Sequence, residues 1–439
     1  MPEYSPTEQR GWYFYDWANS AFYTTVVALF FSPYLTSIAK NAADAQGYVH
    51  PIGIPILAPS LPMYLTSLAV AMQVLFLPLA GALGDYGQRK REMLGALAFA
   101  GAASTIAMFW LEGINYLYGC VLFLIANSTY GAANVIYNSF LPEIAAPEDR
   151  DSVSAKGWGL GYVGGGVLLA LNLLLYSKAE SFGISEGMAV RISLATAGIW
   201  WALFTLIPLA TLKNRGPQKQ PAPGVNFVAA SLRQLWKSVR EIVKLPQTLT
   251  FLIAYLIYND AIQTIISQAG QFGHEELKLP MEALTTAILL AQFVGVAGAL
   301  LFNVIAKRIG NKNAVMITLV MYCGVLGYAY FFVSTQKEFY VMTALVALVM
   351  GGSQSLSRSI YSFMIPKGHE AEYFSIYEIS DKGTSWLGPL FMGLALQYTH
   401  SFRLAILSLI LFFIAGLAVL SRVDVRRAAM EAGNDPPAR

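Results

Sequence analysis

The sequence predicts an all-α integral membrane protein, with twelve transmembrane helices forming two pseudo-symmetric six-helix bundles. Three observations carry this. Of the 439 residues, 56% are hydrophobic and only 13% charged, and the mean hydropathy is +0.50, too apolar for a water-soluble globule. Apolar runs recur at the length of about 20 residues that a bilayer-crossing helix needs. A tight basic connection from Gly81 to Arg91 (GALGDYGQRKR) has a related string from Asn303 to Lys312 (NVIAKRIGNK), about half a chain later and again between two apolar runs.

Taken in order, the predicted spans are 12–38, 61–84, 92–112, 115–142, 155–177 and 188–212, then 247–272, 282–305, 314–334, 339–365, 373–397 and 403–421. A basic connection rich in Gly and Pro, Lys213 to Lys244, separates six from six. The domains are therefore a bundle over 1–212, a cytoplasmic linker over 213–245, a bundle over 246–421 and a tail over 422–439. Within the linker, Val225 to Val243 interleaves Phe227, Leu232, Leu235 and Trp236 with Arg233, Lys237 and Arg240, as an amphipathic helix lying on a membrane surface would. Of the 29 Lys and Arg, 21 fall on the side shared by the two termini and six on the other. Arg358 and Lys382 lie inside spans. Positive charge gathers on the cytoplasmic side, so both termini are expected there, in the cell membrane. The polar Met1–Arg10 stretch carries no apolar core and no cleavage pattern of a signal peptide.

The halves also match internally. Ile136-Tyr137 with Pro142 repeats as Ile360-Tyr361 with Pro366, and Ser154-Ala-Lys156-Gly157 as Ser380-Asp-Lys382-Gly383. Matching residues in the same order point to duplication.

Several chemistries have no support. Cys120 and Cys323 fall inside apolar runs, and the four histidines (His50, His274, His369, His400) in or beside loops, so neither disulfide nor metal site is expected. There is no Gly-x-x-x-x-Gly-Lys-Ser/Thr loop for a nucleotide, no nucleophile with a base, and no cofactor motif. A net charge of +3 on so long a chain gives no case for nucleic acid. The expected partners are the lipid bilayer and a small-molecule substrate handled by a monomer that is not an enzyme. Without a nucleotide site, transport would draw on gradients.

The pattern Gly81-x-x-x-Asp85-x-x-x-Arg89-Lys90 resembles the loop between helices 2 and 3 of the major facilitator superfamily. Tyr15-Asp-Trp-Ala-Asn-Ser-Ala-Phe22, Tyr258-Asn-Asp-Ala-Ile-Gln-Thr264 and Ser355-Leu-Ser-Arg-Ser359 narrow the resemblance to the vacuole-effluxer family. Its fungal members export amino acids from the vacuole. The resemblance spans essentially all twelve helices and implies two bundles around a cavity lined by helices 1, 4, 7 and 10, working by alternating access. The solute it implies is a small zwitterion such as a neutral or aromatic amino acid. Two departures stand out: Tyr86 and Gln88 replace the superfamily's arginine and glycine, and in the second loop Lys307 stands where the acid should be.

Candidate residues follow from polar groups at helical spacing inside apolar spans, where they are costly unless they serve a purpose. Helix 7 carries Asn259, Asp260, Gln263, Thr264 and Ser267, with Tyr258 beside them. Asp260 is read either as a carrier of a coupling proton or as a carboxylate held by tyrosines or a cation. Helix 10 carries Gln354 and Arg358, the latter eight residues and so about 12 Å before Pro366. Its guanidinium suits a substrate carboxylate or an internal pair with Glu378 or Asp381. Asn127, Tyr130 and Asn134 on helix 4 and Asn19 on helix 1 complete the substrate set. Asp16 and Glu378 join Asp260 as proton-coupling candidates. The gating set is Gly81, Asp85, Arg89, Arg91, Glu143, Asp381 and Lys382, with Asp85 beside the N-terminal end of a helix of the other half, which the resemblance implies is helix 11, and Arg89 or Arg91 paired with Glu143 or with Glu148 and Asp149. Arg89 to Arg91 also fit topology determinants, and Asp16 a structural residue among interfacial aromatics. Six glycines from Gly157 to Gly166 on helix 5 predict close approach of another helix. Gly388-Pro389 is expected to weaken or bend helix 11.

Overall fold

The computed structural model describes residues 5–86, 89–145, 150–215, 240–365, 377 and 385–434. The chain divides into two compact units, Met1–Gln234 and Leu235–Arg439. Both are helical. The only described strands are a two-residue antiparallel pair, Tyr48–Val49 (β1) with Ile56–Leu57 (β2), in the connection after the first helix.

In the first unit, α1 runs from Pro6 to Ala42 and starts with proline in its first turn, where the missing N–H has no partner to lose. Its middle, Phe22–Phe30, is π-helical, a widened turn that rotates the face the helix presents. The other helices are α2 (Leu61–Tyr86), α3 (Lys90–Ala107), α4 (Tyr116–Asn138), α5 (Arg150–Ser177) and α6 (Glu186–Thr211). Ser185 caps α6 by accepting the Met188 amide. The core gathers Trp12, Tyr15, Phe22, Phe30, Phe31 and Trp201, all essentially inaccessible.

The glycines of α5 show why α1 and α5 pack so closely. A Cβ at Gly157, Gly161, Gly164 or Gly165 would strike Asp16, Ser20, Trp17 or Thr24 of α1, whereas Gly159 and Gly166 face open space. Four of the six thus make the expected approach. The other two do not.

The second unit holds α7 (Pro246–Glu275), α8 (Met281–Ile309), α9 (Asn311–Phe331), α10 (Gln336–Phe363), α11 (Leu387–Thr399), α12 (Phe402–Ser421) and a short surface helix, α13 (Val425–Glu431). Gly310, at φ 85, joins α8 to α9 in a left-handed conformation that favours glycine. Thr335 and Glu338 form a capping box at the start of α10. Tyr322 stacks on Phe413 at 4.6 Å, locking α9 to α12.

Among the described residues, ten helices are long and apolar enough to cross a membrane. The 26 residues of α2 have the length as well, about 39 Å at 1.5 Å per residue. Of the predicted helix 11, the structure describes Leu387–Thr399 as helix. Gly388-Pro389 stands in the first turn of that described helix, after a turn at Ser385–Trp386, and most of the predicted span before it lies outside the described residues. There a proline costs no helix hydrogen bond. The expected amphipathic linker helix lies for the most part outside the described residues.

Candidate functional site

The second unit contains the most deeply buried acid predicted from the sequence. Asp260 is 2% exposed, on a face of α7 that also buries Asn259, Thr264 and Ser267. Gln263 is half-buried. One carboxylate oxygen of Asp260, Oδ2, accepts the Gly388 amide at 2.9 Å, and the Leu387 amide also bonds to the carboxylate. Both belong to the first turn of α11, where amides have no partner within the helix and the dipole favours an anion. The glycine is required by this approach. A Cβ on Gly388 would collide with Thr264 Oγ1 and stand about 3 Å from Asp260 Oδ1 and from the Asp260 carbonyl. The other oxygen, Oδ1, is buried and has no hydrogen-bond partner among the described residues. Among the described residues, then, Asp260 is held by amides at the start of α11 rather than by a tyrosine or a cation, and its Oδ1 has no partner there.

Two residues earlier on α7, Tyr258 Oη lies 2.6 Å from Ser357 Oγ. Ser357 donates its only proton to the Ser353 carbonyl, so Tyr258 is the donor in this pair. Tyr255 and Tyr361 both stack on Tyr377, at 4.4 and 5.0 Å between ring centroids. Tyr377 was not a sequence candidate, since it precedes Glu378 in a stretch without helical polar spacing. Gln354 is half-buried and Arg358 exposed on α10. Glu378, Asp381 and Lys382 lie outside the described residues.

In the first unit the sequence candidates meet in pairs. Asn19 Nδ2 donates to Asn134 Oδ1 at 2.7 Å, and the Tyr137 hydroxyl donates to Asp16 Oδ2 at 2.8 Å. Trp12 stacks on Tyr137 at 4.3 Å and donates its indole N–H to the Tyr137 carbonyl. Asp16 is therefore tied to α4 as well as pressed against α5. Tyr130 packs against Phe22 and Trp201, and the Asn127 carbonyl accepts from Gln73.

Just after α4, on a short helix over Leu141–Ile144, Glu143 meets a different cation from the two expected, and the alternative acids Glu148 and Asp149 lie outside the described residues. Glu143 accepts from Lys90 at 2.6 Å, and both side chains are at most 5% exposed. Arg91 pairs with Glu92, and Arg89 is exposed as the residue before α3. Consecutive residues around a helix start point about 100° apart, so one of three adjacent cations can face Glu143. Arg215 reaches Glu143 at 3.9 Å and Glu8 at 2.6 Å, drawing the chain after α6 onto the start of α1. Glu8 and Arg215 were missed, because isolated charges near a terminus and in a linker carry no pattern. Gly81 and Asp85 lie in the last two turns of α2, and their side chains are outside the described residues.

A family model described as "Vacuole effluxer Atg22 like" matches residues 4–433. The chain belongs to that family. Among relatives, an uncharacterised MFS-type transporter, YxiO, of Bacillus subtilis is 28% identical over 423 residues, covering 95% of this chain and 94% of that protein. Autophagy-related protein 22 of Pyricularia oryzae is 26% identical over 529 residues, covering 97% and 77%. In solved structures the fold recurs in a D-xylose–proton symporter (TM-score 0.67, 14% identity, 96% and 98% covered). It recurs again in an inward-facing bacterial homologue of the lysosomal transporter Spinster (0.66, 15%, 99% and 100%). The protein is an integral membrane transporter of the major facilitator type.

Proposed function

We propose that this transporter is a secondary active one, working by alternating access and coupled to protons, that exports or exchanges a small zwitterionic solute such as a neutral or aromatic amino acid. The observation that carries the coupling is Asp260. A buried carboxylate with one oxygen on helix N-terminal amides, and no salt bridge among the described residues, suits a group that takes up and releases a proton. The zwitterion reading draws on the family's effluxer description and on the chemistry of the lining candidates. In the second unit Arg358 suits a carboxylate, while Asp260, Asn259, Gln263 and Gln354 offer acceptors for an ammonium group; in the first unit, taken by itself, Asn134 and Asn19 offer amide acceptors. Tyr130, Tyr258 and the Tyr255–Tyr377–Tyr361 stack suit an apolar side chain.

The test uses purified protein in proteoliposomes. A thermal-shift screen over amino acids, nucleosides, sugars and organic acids first finds the ligand, since whatever binds the folded state raises its apparent stability. Flux of that ligand is then driven by an imposed proton gradient. Asp260→Asn should lose gradient-driven uptake and keep counterflow exchange. Driven flux at the wild-type rate in Asp260→Asn would remove the coupling role. Stabilisation by nucleosides or sugars alone would replace the amino acid with those solutes, and binding without any flux would make the protein a sensor on a transporter fold.

A further inference from the structure

The second unit carries a cluster of cations at the ends of its membrane-spanning helices. There a cavity of about 390 Å³ opens among the α8–α9 turn, the end of α10 and the chain from Ser421 to Arg426. Four apolar spans terminate around it, so it lies at a membrane boundary. Among the described residues three cations line it, Lys312, Arg422 and Arg426, with one acid, Asp424. The acid is already engaged, since its carboxylate accepts the Arg426 and Arg427 amides at the start of α13. Lys312 donates to the carbonyls of Ser421 and Val423 at 2.8 and 2.6 Å, which fixes the ammonium in the wall and leaves a third N–H. Arg422 is exposed and makes no ion pair among the described residues. The side-chain amides of Asn311 and Asn313 complete a polar rim.

The neighbouring surface is apolar. On α9, Ile317 and Val320 are exposed, at 42% and 56%, and on α12 so are Leu411 and Ile414, at 60% and 52%. At 1.5 Å per residue, Ile317 lies about 8 Å along α9 from Lys312, and Ile414 about 10 Å along α12 from Ser421. A positively charged cavity at the end of a lipid-facing helix pair matches a molecule with an anionic head and acyl chains.

We propose that this cavity binds the phosphate-bearing headgroup of an anionic phospholipid, with the acyl chains lying along the exposed faces of α9 and α12. The ligand chemistry, a phosphate, is shared with soluble phosphate. The apolar faces favour the lipid source. The site is independent of Asp260 and of the transported solute.

The experiment takes the full-length protein in neutral detergent and adds, in separate arms, dioleoyl phosphatidylglycerol, dioleoyl phosphatidylcholine, and inorganic phosphate. Native mass spectrometry reads retained lipid and thermal unfolding reads stabilisation. Phosphatidylglycerol should be retained and should raise the midpoint, while phosphatidylcholine should not. Arg422→Gln with Arg426→Gln should weaken phosphatidylglycerol retention at least about tenfold, at roughly fivefold per removed cation. Lys337→Gln, an exposed cation at the other end of α10, should leave retention unchanged. The charge-preserving pair Arg422→Lys with Arg426→Lys should retain the lipid, which keeps the test decisive should the glutamine pair not fold. Equal retention of both lipids, or unaltered phosphatidylglycerol retention in the glutamine pair, would overturn the proposal. So would equal stabilisation by inorganic phosphate, which would leave a soluble-anion site.

Discussion

Asp260 and Gly388 form one unit in which a carboxylate and a residue without a side chain define each other. The acid reaches the α11 amides because no Cβ stands between them. Gly388→Ala should therefore destabilise the protein by about 1–3 kcal/mol, the usual cost of forcing an extra methyl into a packed site. Adding Thr264→Ala, which removes the hydroxyl the new methyl would meet, should restore much of that loss. Thermal unfolding of both variants in detergent checks this, and an unchanged midpoint for Gly388→Ala would contradict the close approach. The same reading separates Lys90 from its neighbours. Removing Lys90 takes the nearest cation from a buried Glu143 and leaves it the longer contact with Arg215, so Lys90→Met should cost up to about 3 kcal/mol, with much of it recovered by Glu143→Leu in the same chain. Arg89→Gln, at an exposed position, should stay within about 0.5 kcal/mol of the parent. Comparable losses from both would mean that Lys90 holds no special pair.

At the scale of elements, helix packing explains what pattern reading left open. Glycines at the α1–α5 interface show where backbones meet, yet the spacing of Gly159 and Gly166 is no different in kind from that of Gly161, and they face open space. Position relative to a partner decides their role. The connection after α1 offers a separate test. Asp44 accepts from His50 and from the Tyr48 and Gln46 amides, and these bonds, led by the one from His50, hold its carboxyl below the ordinary carboxylate range. A depressed folded-state pKa stabilises the turn at pH values above the unfolded value of about 3.9, and the contribution fades as pH falls through the lower folded value. Relative to Asp44→Asn under the same conditions, hydrogen exchange over residues 43–58 should be slower at pH 6. The difference should shrink as pH falls below about 4. A constant difference across that range would rule out the carboxylate as its source.

At the scale of the molecule, the two units repeat a scheme in which a helix of each pairs polar side chains with another helix of the same unit. Asn19 with Asn134 and Asp16 with Tyr137 do so in the first, and Tyr258 with Ser357 in the second. Topology is a whole-chain property as well. The excess of Lys and Arg on one side leads us to expect both termini in the cytoplasm. A fluorescent protein fused after Arg439 should therefore be bright in cells, and alkaline phosphatase fused there inactive. The opposite pattern would invert the topology.

The sequence by itself determined the class, most of the described helical spans and the family, because apolar length and short motifs are local properties that survive without coordinates. It also nominated Asp260, Asp16, Asn19 and Asn134, since a polar group in an apolar run stands out wherever it points. Only the tertiary structure decided what each one touches. That Lys90 and not Arg89 meets Glu143, that Arg215 and Glu8 join them, and that Gly388 opens a helix toward Asp260 depend on side-chain direction and on where helices begin. Those are set by packing between segments far apart in the chain, which no local spacing encodes.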